Sequence, residues 1–225
     1  MAIEISPRLP RNGQPNWFKS FVRGIFWLAF GGCDVQGLEN VPSEGPLIVA
    51  STHRSYLDPV VLGAFLPRIV YVMAKSELFE KRPIAAFITA FGAFPVNRES
   101  VRGSTFRTAI KLLRNNGAIV IFPEGGIVES LGEQGFKGGI GMLARRTGSP
   151  ILPVYLAGTN TLFSWPEILS DNPWLAIHVG KPIHPVDAHG RMARDQIADR
   201  VGEALLELER KHLSSGEVPA EASGR

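Results

Sequence analysis

The feature that most constrains this chain is an alternation. Short apolar runs at Pro46–Ala50, Arg68–Ala74, Phe94–Asn97, Ala118–Phe122, Ile151–Leu156 and Leu175–Val179 are separated by stretches with helical periodicity. An apolar run with no polar alternation marks a strand covered on both faces. Strands of that kind, spaced by helices, predict an α/β fold whose mostly parallel, mixed sheet is flanked by helices. The helices expected from the 3.6-residue period lie at 59–65, 84–90, 104–115, 139–146 and 191–213. In the third, Phe106, Ala109, Ile110 and Leu113 form the inner face, and Arg107, Lys111 and Arg114 the outer one. Gly117 is read as its stop. In the last, Ile197, Val201, Ala204, Leu205 and Leu208 point inward.

The chain is 225 residues long and 44% hydrophobic, enough for one sizeable core. No internal repeat or Pro/Gly/Ser-rich linker divides it. The expected organisation is a helical segment over 1–34, one folded domain over 35–213 and a disordered tail over 214–225. A net charge of +3, without a long basic run, gives no footprint for nucleic acid but suits loose attraction to an anionic membrane. The single cysteine, Cys33, allows no internal disulfide and fits a reducing compartment. The N-terminal residues show no apolar stretch with a cleavage site. No run of about 18 apolar residues is present for a transmembrane helix.

Residues 16–32 predict an amphipathic helix. Phe18, Phe21, Val22, Ile25 and Ala29 share one face, while Lys19 and Arg23 lie on the other, with Trp27 a turn further on. Two placements fit: lying in a bilayer interface, or packed on the body of the protein.

The chemistry concentrates at strand ends. The run Pro46–Ala50 leads into Ser51-Thr52-His53-Arg54-Ser55-Tyr56-Leu57-Asp58. On one helix, residues five apart are rotated by about 140° and cannot meet. They can meet if His53 sits on the turn and Asp58 caps the next helix, with Pro59 in its first turn. Asp58 would then fix the imidazole tautomer and leave the other ring nitrogen as a base. The alternative is that Asp58 only caps and His53 is an incidental turn residue. Arg98 and Glu124 also follow predicted strands, and ligands of open α/β sheets bind along the carboxyl edge.

These residues resemble a known family. Thr52-His53-Arg54-Ser55-Tyr56-Leu57-Asp58 is similar to the HxxxxD motif of the glycerolipid acyltransferases. Gly92-Ala93-Phe94-Pro95-Val96-Asn97-Arg98 resembles their second block, Phe122-Pro123-Glu124-Gly125 their third, and Pro150-Ile151-Leu152-Pro153-Val154 their fourth. The blocks keep the family's order over roughly residues 35–185, and the nearest subgroup is the 1-acylglycerol-3-phosphate acyltransferases. The resemblance implies a glycerol-3-phosphate acyltransferase-like fold and a phospholipid-biosynthetic activity. A fatty-acyl group would pass from acyl-CoA or acyl-carrier protein to the sn-2 hydroxyl of 1-acylglycerol-3-phosphate. His53 and Asp58 would be catalytic. Arg98, Glu124, Gly125, Lys75 and Lys137 would bind substrate, and neither metal nor cofactor is expected. Membrane lipids, the acyl donor and a lysophospholipid acceptor are the implied partners, at the cytoplasmic face of the cell membrane, where the protein is peripheral or monotopic. Gly126 and Ile127 replace the Thr-Arg that often follows FPEG, and Asn97 stands where Asp is common. Other acceptors therefore stay open: glycerol 3-phosphate, another lysophospholipid or an amino-acid lysolipid. So does a non-catalytic lipid-binding role.

Other signals carry less. Gly139-Ile140-Gly141-Met142-Leu143-Ala144 follows a polar stretch rather than a strand, so its glycine spacing is not a dinucleotide fingerprint. No G-x-S-x-G elbow or P-loop occurs. His178, His184 and His189 lack metal-ligand spacing and are read as loop residues.

Overall fold

The computed structural model describes residues 16–30, 33–90, 92–96, 102–128, 131, 136, 138–160, 175–187 and 190–214. The elements in chain order are α1 (Asn16–Phe30), β1 (Cys33–Gln36), β2 (Leu47–Ser51), α2 (Asp58–Phe65), β3 (Val70–Lys75), α3 (Arg82–Ala90), β4 (Ala93–Val96), α4 (Arg102–Arg114), β5 (Ala118–Ile121), α5 (Gly139–Thr147), β6 (Ile151–Ala157), β7 (Leu175–Val179), the hairpin β8 (Val186–Asp187) and β9 (Gly190–Arg191), and α6 (Arg194–Ser214). Short 3-10 turns cover Leu38–Asn40 and Ser76–Phe79.

The main sheet has seven strands in the order β1-β7-β6-β2-β5-β3-β4. β6, β2, β5, β3 and β4 run parallel to one another. β7 is antiparallel to β6, and β1 is parallel to β7. The sheet is therefore mixed and mostly parallel, as the apolar runs predict. β2 is buried at all five positions, so its two faces feed two separate cores. On one face Leu47, Val49, Leu152, Val154 and Ile177 meet α2, with Val22 and Phe26 of α1. On the other, Ile48, Ala50, Ile119 and Ile151 meet Ala109 and Leu113 of α4, Ile140 and Leu143 of α5, and Ile197, Val201 and Leu205 of α6. A Cβ on Gly141 would lie 2.0 Å from the carbonyl oxygen of Arg194, so glycine here lets α5 press against the start of α6. That packing accounts for Gly141, whereas a Cβ on Gly139 would meet nothing within 4 Å.

Four local readings change. First, α1 is turned differently from its sequence face. Val22 and Phe26 are buried, whereas Phe21, Ile25, Trp27 and Leu28 are exposed. The cations point inward: Lys19 Nζ donates to Leu66 O at 3.0 Å, and Arg23 donates to Ala64 O at 2.8 Å and to Phe65 O at 3.3 Å. These are the orphan carbonyls at the end of α2, where the helix dipole favours positive charge. Burial, and then the neighbouring Arg23 cation, push the Lys19 ammonium below its ordinary value. Second, Asn116, not Gly117, takes the left-handed position after α4, with φ 59°. Gly117 N donates to Leu112 O at 2.9 Å and Asn116 N to Leu113 O at 3.0 Å, the paired bonds of a Schellman ending. Third, Asp58 is the first residue of α2, not its cap. Leu57 occupies the cap position with no side-chain capping bond. His178 also lies in β7 rather than in a loop. Of the predicted tail, Ser214 instead ends α6, and residues 215–225 lie outside the described residues.

Candidate active site

β2 and β5 are neighbours in register, with Ala50 opposite Ile121, so both release the chain at the same edge of the sheet. β6 flanks β2 on the other side, with Ser51 opposite Val154. The loops after these three strands converge, and His53, Glu124 and Thr159 follow them in turn.

After β2 the chain makes a tight turn instead of entering a helix at once. Leu57 N donates to the Ser55 hydroxyl, and Asp58 N donates to Ser55 O. The turn folds the Asp58 carboxylate back over the segment that precedes it. Its Oδ2 lies 2.9 Å from His53 Nδ1 and accepts the amides of Arg54 at 2.7 Å and Ser55 at 2.8 Å. Its Oδ1 accepts the Thr159 hydroxyl at 2.6 Å. Asp58 is fully buried, while the His53 side chain keeps 16% exposure. The carboxylate therefore faces backward to the turn rather than forward to α2, which is why it does not cap.

The imidazole is clamped from the side as well. Its ring stacks on Phe122 with centroids 3.9 Å apart and planes 18° from parallel. Val128 N donates to the His53 carbonyl at 3.0 Å. Ring position is thus fixed by β5's loop and ring orientation by Asp58. A carboxylate only accepts, so the shared proton sits on Nδ1, leaving Nε2 as the ring's basic nitrogen.

Glu124 is buried to 1% exposure, and neither carboxyl oxygen makes a hydrogen bond among the described residues. Burial pushes its pKa up to about 7; the backbone amides of Glu124 and His53 and the Arg54 cation pull against this, and the Asp58 charge adds to it. Gly125 has φ 80°, a left-handed conformation natural to glycine, and its amide closes the turn onto Phe122 O at 3.0 Å. That amide is committed, as is the amide of Val128, so neither supplies an oxyanion hole. Arg54, beside His53, pairs with Glu209 of α6 at 2.6 Å and lies over the Tyr155 ring. Lys75 ends β3 on the same edge of the sheet. Its side chain, and all of Arg98 and Lys137, lie outside the described residues. Among the described residues no group of three or more His, Cys, Asp or Glu side chains could hold a metal ion.

Thr159 is the partner that motif spacing does not single out; Phe122 stands in the third block, but its stacking on His53 is seen only in the fold. The strand-end rule that selects His53 and Glu124 also selects Thr159, two residues beyond β6.

Residues 32–157, more than half of the chain, match the family model Acyltransferase. The chain belongs to the acyltransferase family. It is 30% identical over 185 residues to the 1-acyl-sn-glycerol-3-phosphate acyltransferase of Bacillus subtilis, covering 80% of this chain and 90% of that one. It is 32% identical over 170 residues to the enzyme of the same name from Borreliella burgdorferi, covering 75% and 66%. The crystal structure of the 1-acyl-sn-glycerophosphate (LPA) acyltransferase PlsC from Thermotoga maritima superimposes with a TM-score of 0.71 at 25% identity, over 87% of this chain and 78% of that one. The chain is an O-acyltransferase, and the family match spans the acyltransferase strands and loops from β1 through β6.

Proposed function

We propose that this acyltransferase esterifies the sn-2 hydroxyl of 1-acylglycerol-3-phosphate, with acyl-CoA or acyl-carrier protein as donor and phosphatidic acid as product. The observation that carries the chemistry is the oriented pair: His53 Nδ1 held by a buried, multiply bonded Asp58, with the second nitrogen unengaged by that carboxylate. In this reading His53 Nε2 removes the proton of the acceptor hydroxyl, and Asp58 stabilises the resulting imidazolium. The hydroxyl oxygen attacks the thioester carbonyl, a C–O bond forms and the C–S bond breaks. The thiolate leaves and takes up the proton from Nε2. No acyl-enzyme is required. The acceptor is argued from the relatives' names; the phosphate contact is assigned to Arg98, with Lys75 and Lys137 as helpers, and Glu124 and Gly125 are assigned to substrate binding as well.

The test is a panel of acceptors with one labelled acyl-CoA, read as product lipid by mass. Label should enter 1-acylglycerol-3-phosphate in preference to glycerol 3-phosphate, other lysophospholipids or an amino-acid lysolipid. Preferred labelling of another acceptor overturns the acceptor assignment and leaves the chemistry standing. Label released only as free fatty acid overturns both.

The same reading places the enzyme on a membrane. Phe21, Ile25 and Leu28 form a stripe along the outer side of α1, with Trp27 on its flank, and all four are exposed. Among the described residues no helix is long and apolar enough to cross a membrane, and α1 has 15 residues. A helix held to the body through Lys19, Val22, Arg23 and Phe26 can rest its other side in the interface. Replacing Phe21, Ile25 and Leu28 together by Ser should release the folded protein from anionic vesicles, read by co-sedimentation. Unchanged co-sedimentation puts the anchor elsewhere. Deleting 1–32 is a poorer test, because it also uncovers the end of α2.

A further inference from the structure

Nothing in the HxxxxD segment reaches Asp58 Oδ1. Its one hydrogen bond among the described residues comes from 101 residues further along the chain. The local turn supplies only Oδ2, which takes His53 and the amides of Arg54 and Ser55. A carboxylate bonded through one oxygen can still swing about its Cβ–Cγ bond. With both oxygens bonded it cannot, and the direction in which Oδ2 faces His53 is set.

We propose that Thr159 is a positioning residue for acyl transfer, acting through Asp58 to hold the carboxylate in the plane that orients His53. The fold around it is built for that contact. Thr159 is fully buried, as are Asp58 and Thr52. The backbone ladder between β2 and β6 ends with Thr52 N donating to Val154 O at 3.2 Å. The side chain of Thr52 then carries the pairing one step further. Its Oγ1 accepts Leu156 N at 2.8 Å and donates to Leu156 O at 3.2 Å. The end of β6 is thereby locked beside the residue that precedes His53. Gly158, with φ 87°, then takes a left-handed conformation and carries the chain round to Thr159. The hydroxyl arrives 2.6 Å from Oδ1, a short bond of the kind a charged acceptor makes.

The inference rests on His53 being the base, and the experiment separates the two. Turnover of acyl-CoA with 1-acylglycerol-3-phosphate is measured for the parent, His53→Ala, Thr159→Val, Thr159→Ala and Thr159→Ser. Thr159→Val keeps the shape and removes the donor; it should lower kcat roughly ten-fold with KM for both substrates unchanged. Thr159→Ser should restore kcat to within about two-fold of the parent, a rescue that a purely packing role would not give. In an Asp58→Asn background, Thr159→Val should cost less than about two-fold, because the residue acts through the carboxylate. If Thr159→Val does not fold, Thr159→Ala carries the same comparison. Parental kcat in the folded variant, or an equal loss with and without Asp58, overturns the inference while an inactive His53→Ala keeps the base assignment. An active His53→Ala overturns both.

Discussion

Among the described residues there are two His–Asp pairs, and they differ in almost everything but the bond. His53 uses Nδ1 toward Asp58 and sits on a loop at the carboxyl edge of the sheet, partly exposed. His178 uses Nε2 toward Asp34 and sits within β7, paired with Tyr155 across the strand boundary and beneath α6, with its side chain 4% exposed. Asp58 is sealed and takes donors on both oxygens, whereas Asp34 keeps 20% exposure and, among the described residues, the other side chain bonded to its carboxylate is that of Gln36. The remaining nitrogen of His178 is buried and finds no partner among the described residues. A His–Asp contact is therefore not a site in itself. In the proposed function the first pair is a rigidly held base with a nitrogen left for substrate. The second joins the edge strand β1 to β7 and has no nitrogen to offer a ligand.

The sharpest way to break this comparison is to neutralise each aspartate in turn. Asp58→Asn offers the ring an amide in place of an acceptor-only carboxylate and should lower kcat by roughly 10²–10⁴-fold with the fold retained. Asp34→Asn should leave kcat within about two-fold and instead destabilise the protein by about 1–2 kcal/mol in urea unfolding. If the two variants exchange these phenotypes, the assignment of roles is reversed.

Glu124 sharpens the catalytic side. Its carboxyl holds its proton up to about pH 7 in the folded protein, against the ordinary 4.5 in the unfolded chain. Between those values the folded state binds the extra proton, so this contribution is complete below about pH 4.5 and is lost as pH rises to about 7. The difference corresponds to roughly 3 kcal/mol. Glu124→Gln should remove that slope and unfold at higher urea than the parent above pH 7. An unchanged slope in the variant would assign it to another group. A buried carboxyl with no hydrogen-bond partner among the described residues is costly to keep ionised, and in the proposed function that cost falls beside the substrate.

The two pairs also show what can be read from sequence. The central strands are legible because both their faces are buried, which erases polar alternation from β2, β5, β6 and β7. β1 is not, since CDVQ is a half-exposed edge strand of four residues. His53, Asp58 and Glu124 are legible because each stands in a motif at a strand end. Their bonding is less so: the local spacing suggests an aspartate that caps forward, while the folded turn sends it backward. Thr159 is a lone hydroxyl whose meaning depends on a partner 101 residues away. The direction of α1 is hidden for the same reason. Lys19 and Arg23 look like a solvent face until the free carbonyls of α2 are placed beside them.

The central claim is that His53, oriented by Asp58, is the base for acyl transfer. Its most direct test is acyl-CoA turnover with 1-acylglycerol-3-phosphate by His53→Ala, with circular dichroism as the check on folding. Turnover should fall by roughly 10²–10⁴-fold in a protein whose spectrum and unfolding midpoint match the parent. Undiminished turnover in that folded variant would contradict the account.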